Sequence, residues 1–219
     1  MHSSILTGDT QKNISIIADL EFLKHFYLAG GTACALHIGH RLSYDLDFFS
    51  QEKFDPLLIT RILENLGDFV INYSDNDTLI GNFNNTRVSF IYYKYGLLKE
   101  FSRFLNINIA SLQDIGGMKI EAIAARGKKR DFVDLYFILK ALKMELAEFF
   151  TLYKKKYENV KYNEPHILKS LTYFDDADND PDLNMLIIMK WEQVKKFFRE
   201  QKLITDYDAM HGIWFKNPL

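Results

Sequence analysis

Asp45 and Asp47 stand one residue apart just downstream of Gly30-Gly31-Thr32, and these are the residues whose types and spacing suit chemistry. Carboxylates are hard oxygen ligands for divalent cations, and a pair held together can clamp metal against phosphate oxygens. Glycines tolerate positive φ and let a backbone come close to a ligand. Thr32 opens a run of helical character, so its hydroxyl and the first unbonded amides of that helix are expected to point at a bound anion. Taken singly, the glycine pair is only a turn and the alternating acids only the wet face of a half-buried strand. Their order and short spacing together point to a phosphate cradle beside a metal site.

The positioning elements can be read from the same stretch. A short apolar run, Phe26-Tyr27-Leu28-Ala29, leads into the glycines, and Gly39 closes the helix that follows. Tyr44, Leu46 and Phe48 then alternate with Ser43, Asp45 and Asp47, which is strand periodicity. Both carboxylates fall on one face, roughly 6.5–7 Å apart along the strand. The opposite face, Tyr44 included, is expected to anchor the strand in the core.

A second stretch, Lys119 to Tyr136, carries further charge in an ordered pattern. Ser111 with Asp114 makes a weak capping box, and the helix it starts places Lys119 and Arg126 two turns apart on one face. Gly127 ends that helix. A new one is predicted from about Asp131 to Lys143, with Phe132, Leu135, Tyr136 and Leu139 as the buried stripe and Asp131 and Asp134 on the opposite face. Asp131 also reads in part as a helix cap. Lys128-Lys129-Arg130 reads as a solvated loop that adds attraction for a triphosphate or a polyanionic acceptor.

Gly30-Gly31-Thr32, followed by Arg41-Leu42-Ser43-Tyr44-Asp45-Leu46-Asp47-Phe48-Phe49 and by the Lys119–Tyr136 segment, resembles the AbiEii-type nucleotidyltransferase toxin family, a branch of the polymerase-β-like superfamily. The resemblance implies an α/β (α+β) fold, a mixed sheet flanked by helices with a helical C-terminal part. It implies Mg²⁺ (or Mn²⁺) held by Asp45 and Asp47, and a nucleoside triphosphate with its phosphates at Gly30, Gly31 and Thr32. Lys119 and Arg126 would neutralise triphosphate charge, with Arg41 and Ser43 as weaker nucleotide contacts. Asp134, with Asp131, would orient the acceptor hydroxyl or complete the metal site. The implied activity moves a nucleoside monophosphate onto an acceptor hydroxyl, on RNA or tRNA, in a toxin–antitoxin or phage-defence setting with an antitoxin as possible partner. One departure stands out: the superfamily's third metal carboxylate comes from a neighbouring strand, and Arg87–Tyr93 contains no acid. Either Asp131 or Asp134 takes its place, or the second metal arrives with the nucleotide. An antibiotic-type small-molecule nucleotidyltransferase and a nucleotide-binding scaffold without turnover remain as alternatives.

The chain's 219 residues, 47% hydrophobic and 26% charged, have ordinary globular composition, and a formal charge of −2 argues against a general nucleic-acid binder. Cys34 is the lone cysteine, which excludes an internal disulfide. No signal peptide and no apolar run of about 18 residues is present, so a soluble cytoplasmic protein without a membrane partner is expected.

Residues 1–110 read as a nucleotidyltransferase α/β core and 111–219 as a helical region completing the active cleft. Helices are predicted at Gln11–Lys24, at Pro56–Asn65 behind an Asp55 cap, and over Leu146–Tyr157, His166–Phe174 and Asn184–Arg199. Strands are predicted at Val70–Tyr73, Thr78–Phe83 and Arg87–Tyr93, the last two joined by a hairpin at Asn84-Asn85. The acidic run Asp175–Asp182 lacks the glycine and closing glutamate of a calcium loop and reads as a solvated connection. His37 and His40 lie three apart on one predicted helix with no third ligand. The aromatic tail His211–Phe215 reads as a plug.

Overall fold

The computed structural model describes residues 1–211. The chain forms two compact units, one of Met1–Ile115 with Leu183–Ile187, the other of Gly116–Asp182 with the described residues from Ile188 onward.

The first unit is a seven-stranded mixed sheet flanked by helices. Its strands are β1 (Tyr27–Ala29), β2 (Leu46–Ser50), β3 (Phe69–Ser74), β4 (Thr78–Phe83), β5 (Thr86–Tyr92), β6 (Ser102–Phe104) and β7 (Ile107–Ile109), in the spatial order β3-β4-β5-β2-β1-β7-β6. β1 runs antiparallel to β2 and parallel to β7, and β2 runs parallel to β5. Leu46, Phe48, Val88 and Phe90 are fully buried, so the alternation places one face of the central strands in the core. The predicted hairpin is present: Asn84 and Asn85 both take positive φ, the geometry of a two-residue turn matched to strand twist. The helices are α1 (Gly8–Ala18), α2 (Gly30–Ile38) and α3 (Pro56–Glu64). Asp55 caps α3 by accepting from the Leu57 N–H at 2.9 Å, with proline in the first turn, as expected.

Several expectations are corrected here. The helix predicted over Gln11–Lys24 is two pieces, because Leu20 is extended between α1 and a 3₁₀ turn at Glu21–His25 that buries Leu23. Tyr44 is 45% exposed and is no core anchor, since β2 begins only at Leu46. Asn184 does not start a helix. It lies in an extended strap whose Asn184 carbonyl accepts from the Leu42 N–H at 2.9 Å, while the His40 carbonyl accepts from the Leu186 N–H at 2.8 Å. His40 lies beyond α2, which ends at a left-handed Gly39.

The second unit is helical: α4 (Leu112–Arg126), α5 (Lys129–Leu142), α6 (Leu146–Lys156), α7 (Glu164–Ser170), α8 (Asp175–Asp178), α9 (Trp191–Arg199) and α10 (Lys202–His211). Its core gathers Phe132, Leu135, Leu139, Phe149, Tyr153, Val194 and Phe198. α7 ends at Ser170 and α9 starts at Trp191, so both predicted runs there are shortened. No described helix is long and apolar enough to cross a membrane. The predicted aromatic tail beyond His211 lies outside the described residues.

Candidate active site

Gly30 sits where β1 meets α2, with φ +68°, a conformation that costs an L-residue backbone energy and that glycine adopts freely. β1 and β2 place Ala29 directly opposite Asp47. A Cβ on Gly30 would stand 2.9 Å from Asp47 Oδ2, so the carboxylate of Asp47 lies against the bare backbone at the start of α2. Asp47 therefore meets the glycine turn within the first unit. Asp45, half-buried, sits one residue ahead of β2.

Thr32 behaves differently from expectation. It is buried, and its Oγ1 donates to the Asp45 carbonyl oxygen and pairs with Ser43 Oγ at 2.7 Å. One hydroxyl carries one proton. With that proton on the carbonyl, Thr32 accepts from Ser43, and both hydroxyls are engaged inside the protein instead of facing an anion. Their effect is to fix the backbone that carries Asp45. Arg41, also buried, lays its guanidinium against Gly31, where a Cβ would meet Nη2 at 2.5 Å, and donates to the Leu42 carbonyl at 3.0 Å. Arg41 thus brings positive charge beside the N-terminal end of α2, next to the Asp47 carboxylate. Ala29, the residue preceding α2, offers no side-chain cap to the first-turn amides.

The strap Leu183–Ile187 steadies this corner. Met185 pairs with Arg41, and Asn184 Nδ2 donates to the Tyr44 hydroxyl at 2.6 Å. No sequence signal marked it, because its apolar residues read as helix. Ser89, at the β5 position opposite Asp47, is where a strand acid was missing, and it is buried. Asp114 is an internal cap: it accepts from the Leu98 N–H at 2.8 Å, the Lys99 N–H at 3.3 Å and Ser111 Oγ at 2.6 Å.

In the second unit, Lys119, Arg126, Asp131 and Asp134 close on one another. Lys119 Nζ lies 2.9 Å from Asp131 Oδ1 and 2.6 Å from Asp134 Oδ2, with all three side chains at most 4% exposed. Arg126 adds a fork to Asp131, at 2.9 Å from Nε and 3.0 Å from a terminal nitrogen. Burial alone would push the Asp131 carboxyl up, but Lys119 and Arg126 overcome this and hold it below the ordinary aspartate range. The α5 face that carries Asp131 and Asp134 is thus buried and packed with charge. The expected basic loop is instead the cap and first turn of α5, where Lys128 Nζ lies 3.0 Å from Asp180 Oδ1 and buried Lys129 donates to the Asp180 carbonyl at 2.7 Å. Those two lysines are matched to the acidic run.

The family model described as nucleotidyl transferase AbiEii toxin, Type IV TA system, matches residues 15–99 and 83–210. The uncharacterized protein aq_aa25 of Aquifex aeolicus (strain VF5) is 38% identical over 200 residues, covering 90% of this chain and 95% of that one. Among solved structures, MenT4, the nucleotidyltransferase toxin Rv2826c of Mycobacterium tuberculosis H37Rv, aligns at 16% identity over 87% of this chain and 78% of its own, TM-score 0.48. The Megavirus polyadenylate synthase aligns at 20% identity over 62% of this chain, TM-score 0.46, and the chain spans only 32% of that protein.

Proposed function

Because the chain belongs to the AbiEii nucleotidyltransferase toxin family, we propose that it is a divalent-metal-dependent enzyme that moves a nucleoside monophosphate from a triphosphate onto an acceptor hydroxyl of RNA. The observation that carries this reading is the Asp47 carboxylate seated against Gly30 at the opening of α2. Two carboxylates and bare backbone amides are a donor set suited to a hard cation and phosphate. Asp45 and Asp47 would hold Mg²⁺ or Mn²⁺, which when bound supplies charge neutralisation at the phosphates.

The remaining work falls to the chain itself. The backbone of Gly30 and Gly31 accommodates the phosphates, and Arg41 adds positive charge beside them. Thr32 and Ser43 hold Asp45 in place. The acceptor oxygen bonds to the α-phosphorus as the bond to the β-phosphate breaks; pyrophosphate leaves with the electron pair and the hydroxyl proton passes to solvent. Such a reaction asks for positioning and electrostatics more than for covalent chemistry. Lys119, paired with both Asp131 and Asp134, is assigned with them to bracing α4 against α5. Arg126 forks onto Asp131 with 48% of its side chain exposed. A role as the toxin of a toxin–antitoxin pair is carried from the family.

The test is transfer of α-labelled nucleotide to total RNA with and without Mg²⁺, beside Asp45→Ala and Asp47→Asn. Metal-dependent label on RNA, lost in both variants, is the expected result. Label confined to small molecules would replace the RNA acceptor, and tight nucleotide binding without any transfer would overturn the activity.

A further inference from the structure

The face of the sheet that carries Asp47 continues into a row of aromatic rings. Across one register line lie Ala29, Asp47, Ser89 and Ile80; the next line on the same face holds Tyr27, Phe49, Ile91 and Thr78. Phe49 is therefore one same-face step from Asp47, roughly 6.5–7 Å along β2. That step is comparable to the one ribose that separates the α-phosphate of a nucleotide from its base.

The rings at this step form a shelf. Phe49 stacks over Tyr27 at 6.0 Å and 26°, and Tyr93 meets Phe49 edge-on at 5.5 Å and 77°. Tyr95 continues the series against Tyr93 at 4.8 Å. Phe49, Tyr93 and Tyr95 are each half-buried, whereas Leu46, Phe48 and Phe90, which fill the opposite face, are wholly buried. Phe101, 36% exposed, packs on Tyr27 at 5.2 Å. It follows directly on Leu97, Leu98, Lys99 and Glu100, which line an open cavity of about 690 Å³. Half-open rings on the face that carries Asp47 offer a π-surface on which a planar aromatic ligand can stack.

We propose that Phe49 and Tyr93 form the shelf on which the base of the incoming nucleoside triphosphate stacks, with Tyr27 as the floor beneath Phe49. The inference rests on the nucleotidyltransferase reading and adds its base subsite. A stacking surface of this kind favours the larger ring system, so purine triphosphates bind ahead of pyrimidine ones. Because every base has a π-face, the discrimination is graded and not absolute.

Competition binding in Mg²⁺ tests it, using ATP, GTP, CTP, UTP and inorganic tripolyphosphate on the whole protein. One base–aromatic stack corresponds to a gain of about 5- to 150-fold in affinity. ATP and GTP should exceed tripolyphosphate by that range in the unaltered protein. Phe49→Leu should remove most of the gain and leave tripolyphosphate unchanged, Phe49→Trp should retain it, and Tyr93→Leu should weaken it should Phe49→Leu fail to fold. Equal binding of nucleotides and tripolyphosphate, no binding of either, or equal weakening of both by Phe49→Leu would overturn the shelf. The two readings separate cleanly: nucleotide-selective binding without transfer sinks the transferase reading and keeps the shelf, while transfer without base preference does the reverse.

Discussion

Gly30→Ala puts the central contact under direct strain. At φ +68° an alanine stands in the left-handed region, which costs an L-residue about 1–2 kcal/mol. Its methyl would also sit 2.9 Å from Asp47 Oδ2, closer than carbon and oxygen rest, so the carboxylate must swing off the turn. The backbone part alone should lower Tm by roughly 2–8 °C for a chain of this size. The displaced carboxylate should cost about a hundredfold in transfer rate, the scale attached to ångström errors in positioning. Thermal unfolding and metal-dependent transfer read the two effects separately. Adding Asp47→Ala removes the clashing oxygen and leaves the strain, so the stability cost of Gly30→Ala should shrink in that background, a coupling a double-mutant cycle reports. Gly8→Ala, where a Cβ meets none of the described residues within 4 Å, is the control and should be neutral or slightly stabilising. A Gly30→Ala protein with unaltered Tm, an unaltered transfer rate, or the same cost in both backgrounds refutes the contact.

Four further outcomes follow from the same structure. Lys119→Met takes the lysine's ion pair from two buried carboxylates, leaving Asp131 its Arg126 fork, and should destabilise by about 3–5 kcal/mol in denaturant unfolding, far more than a surface lysine would. The Asp131 carboxyl is held low in the folded state, so its contribution is fully present above the unfolded value of about 3.9 and is lost as pH falls below it; Asp131→Asn should flatten the acid limb of the stability–pH curve. Thr32→Val keeps shape but leaves the Asp45 carbonyl and Ser43 without their partner; steady-state kinetics should show kcat falling with little change in KM for the triphosphate, whereas a large KM rise would return Thr32 to phosphate binding. Tyr27 Oη is buried with no hydrogen-bond partner among the described residues, and its burial, with Tyr93 and Asp114 near, pushes the phenol well above its ordinary range; Tyr27→Phe should leave Tm unchanged or raise it.

The parts of this protein that were legible in the sequence are those where one residue type has few conformational or chemical options. Gly39 in the left-handed region, the Asn84-Asn85 turn, Asp55 before Pro56, and the Leu46/Phe48 alternation against Asp47 each follow from local sterics, and each appears where expected. The strands Ser102–Phe104 and Ile107–Ile109 were invisible because three residues are too few to show a period; what makes them strands is pairing with each other and with β1. Leu183–Ile187 was misread for the opposite reason, since its apolar residues fit a helix period while its backbone is held by His40, Arg41 and Leu42 more than 140 positions earlier.

At the site, type and place were readable but partners were not. The sequence placed Thr32 and Ser43 near the phosphates, yet a hydroxyl has too many possible partners for its bond to be read from spacing, and here the nearest acceptor is the Asp45 carbonyl. Lys119 and the two aspartates show the same limit: helical spacing gave their faces, but only the packing of α5 against α4 makes a lysine's charge fully internal. A lysine paired with two buried carboxylates would have to exchange a partner to meet a phosphate. The anion site is therefore better sought at backbone left bare by Gly30 and Gly31 than at these side chains.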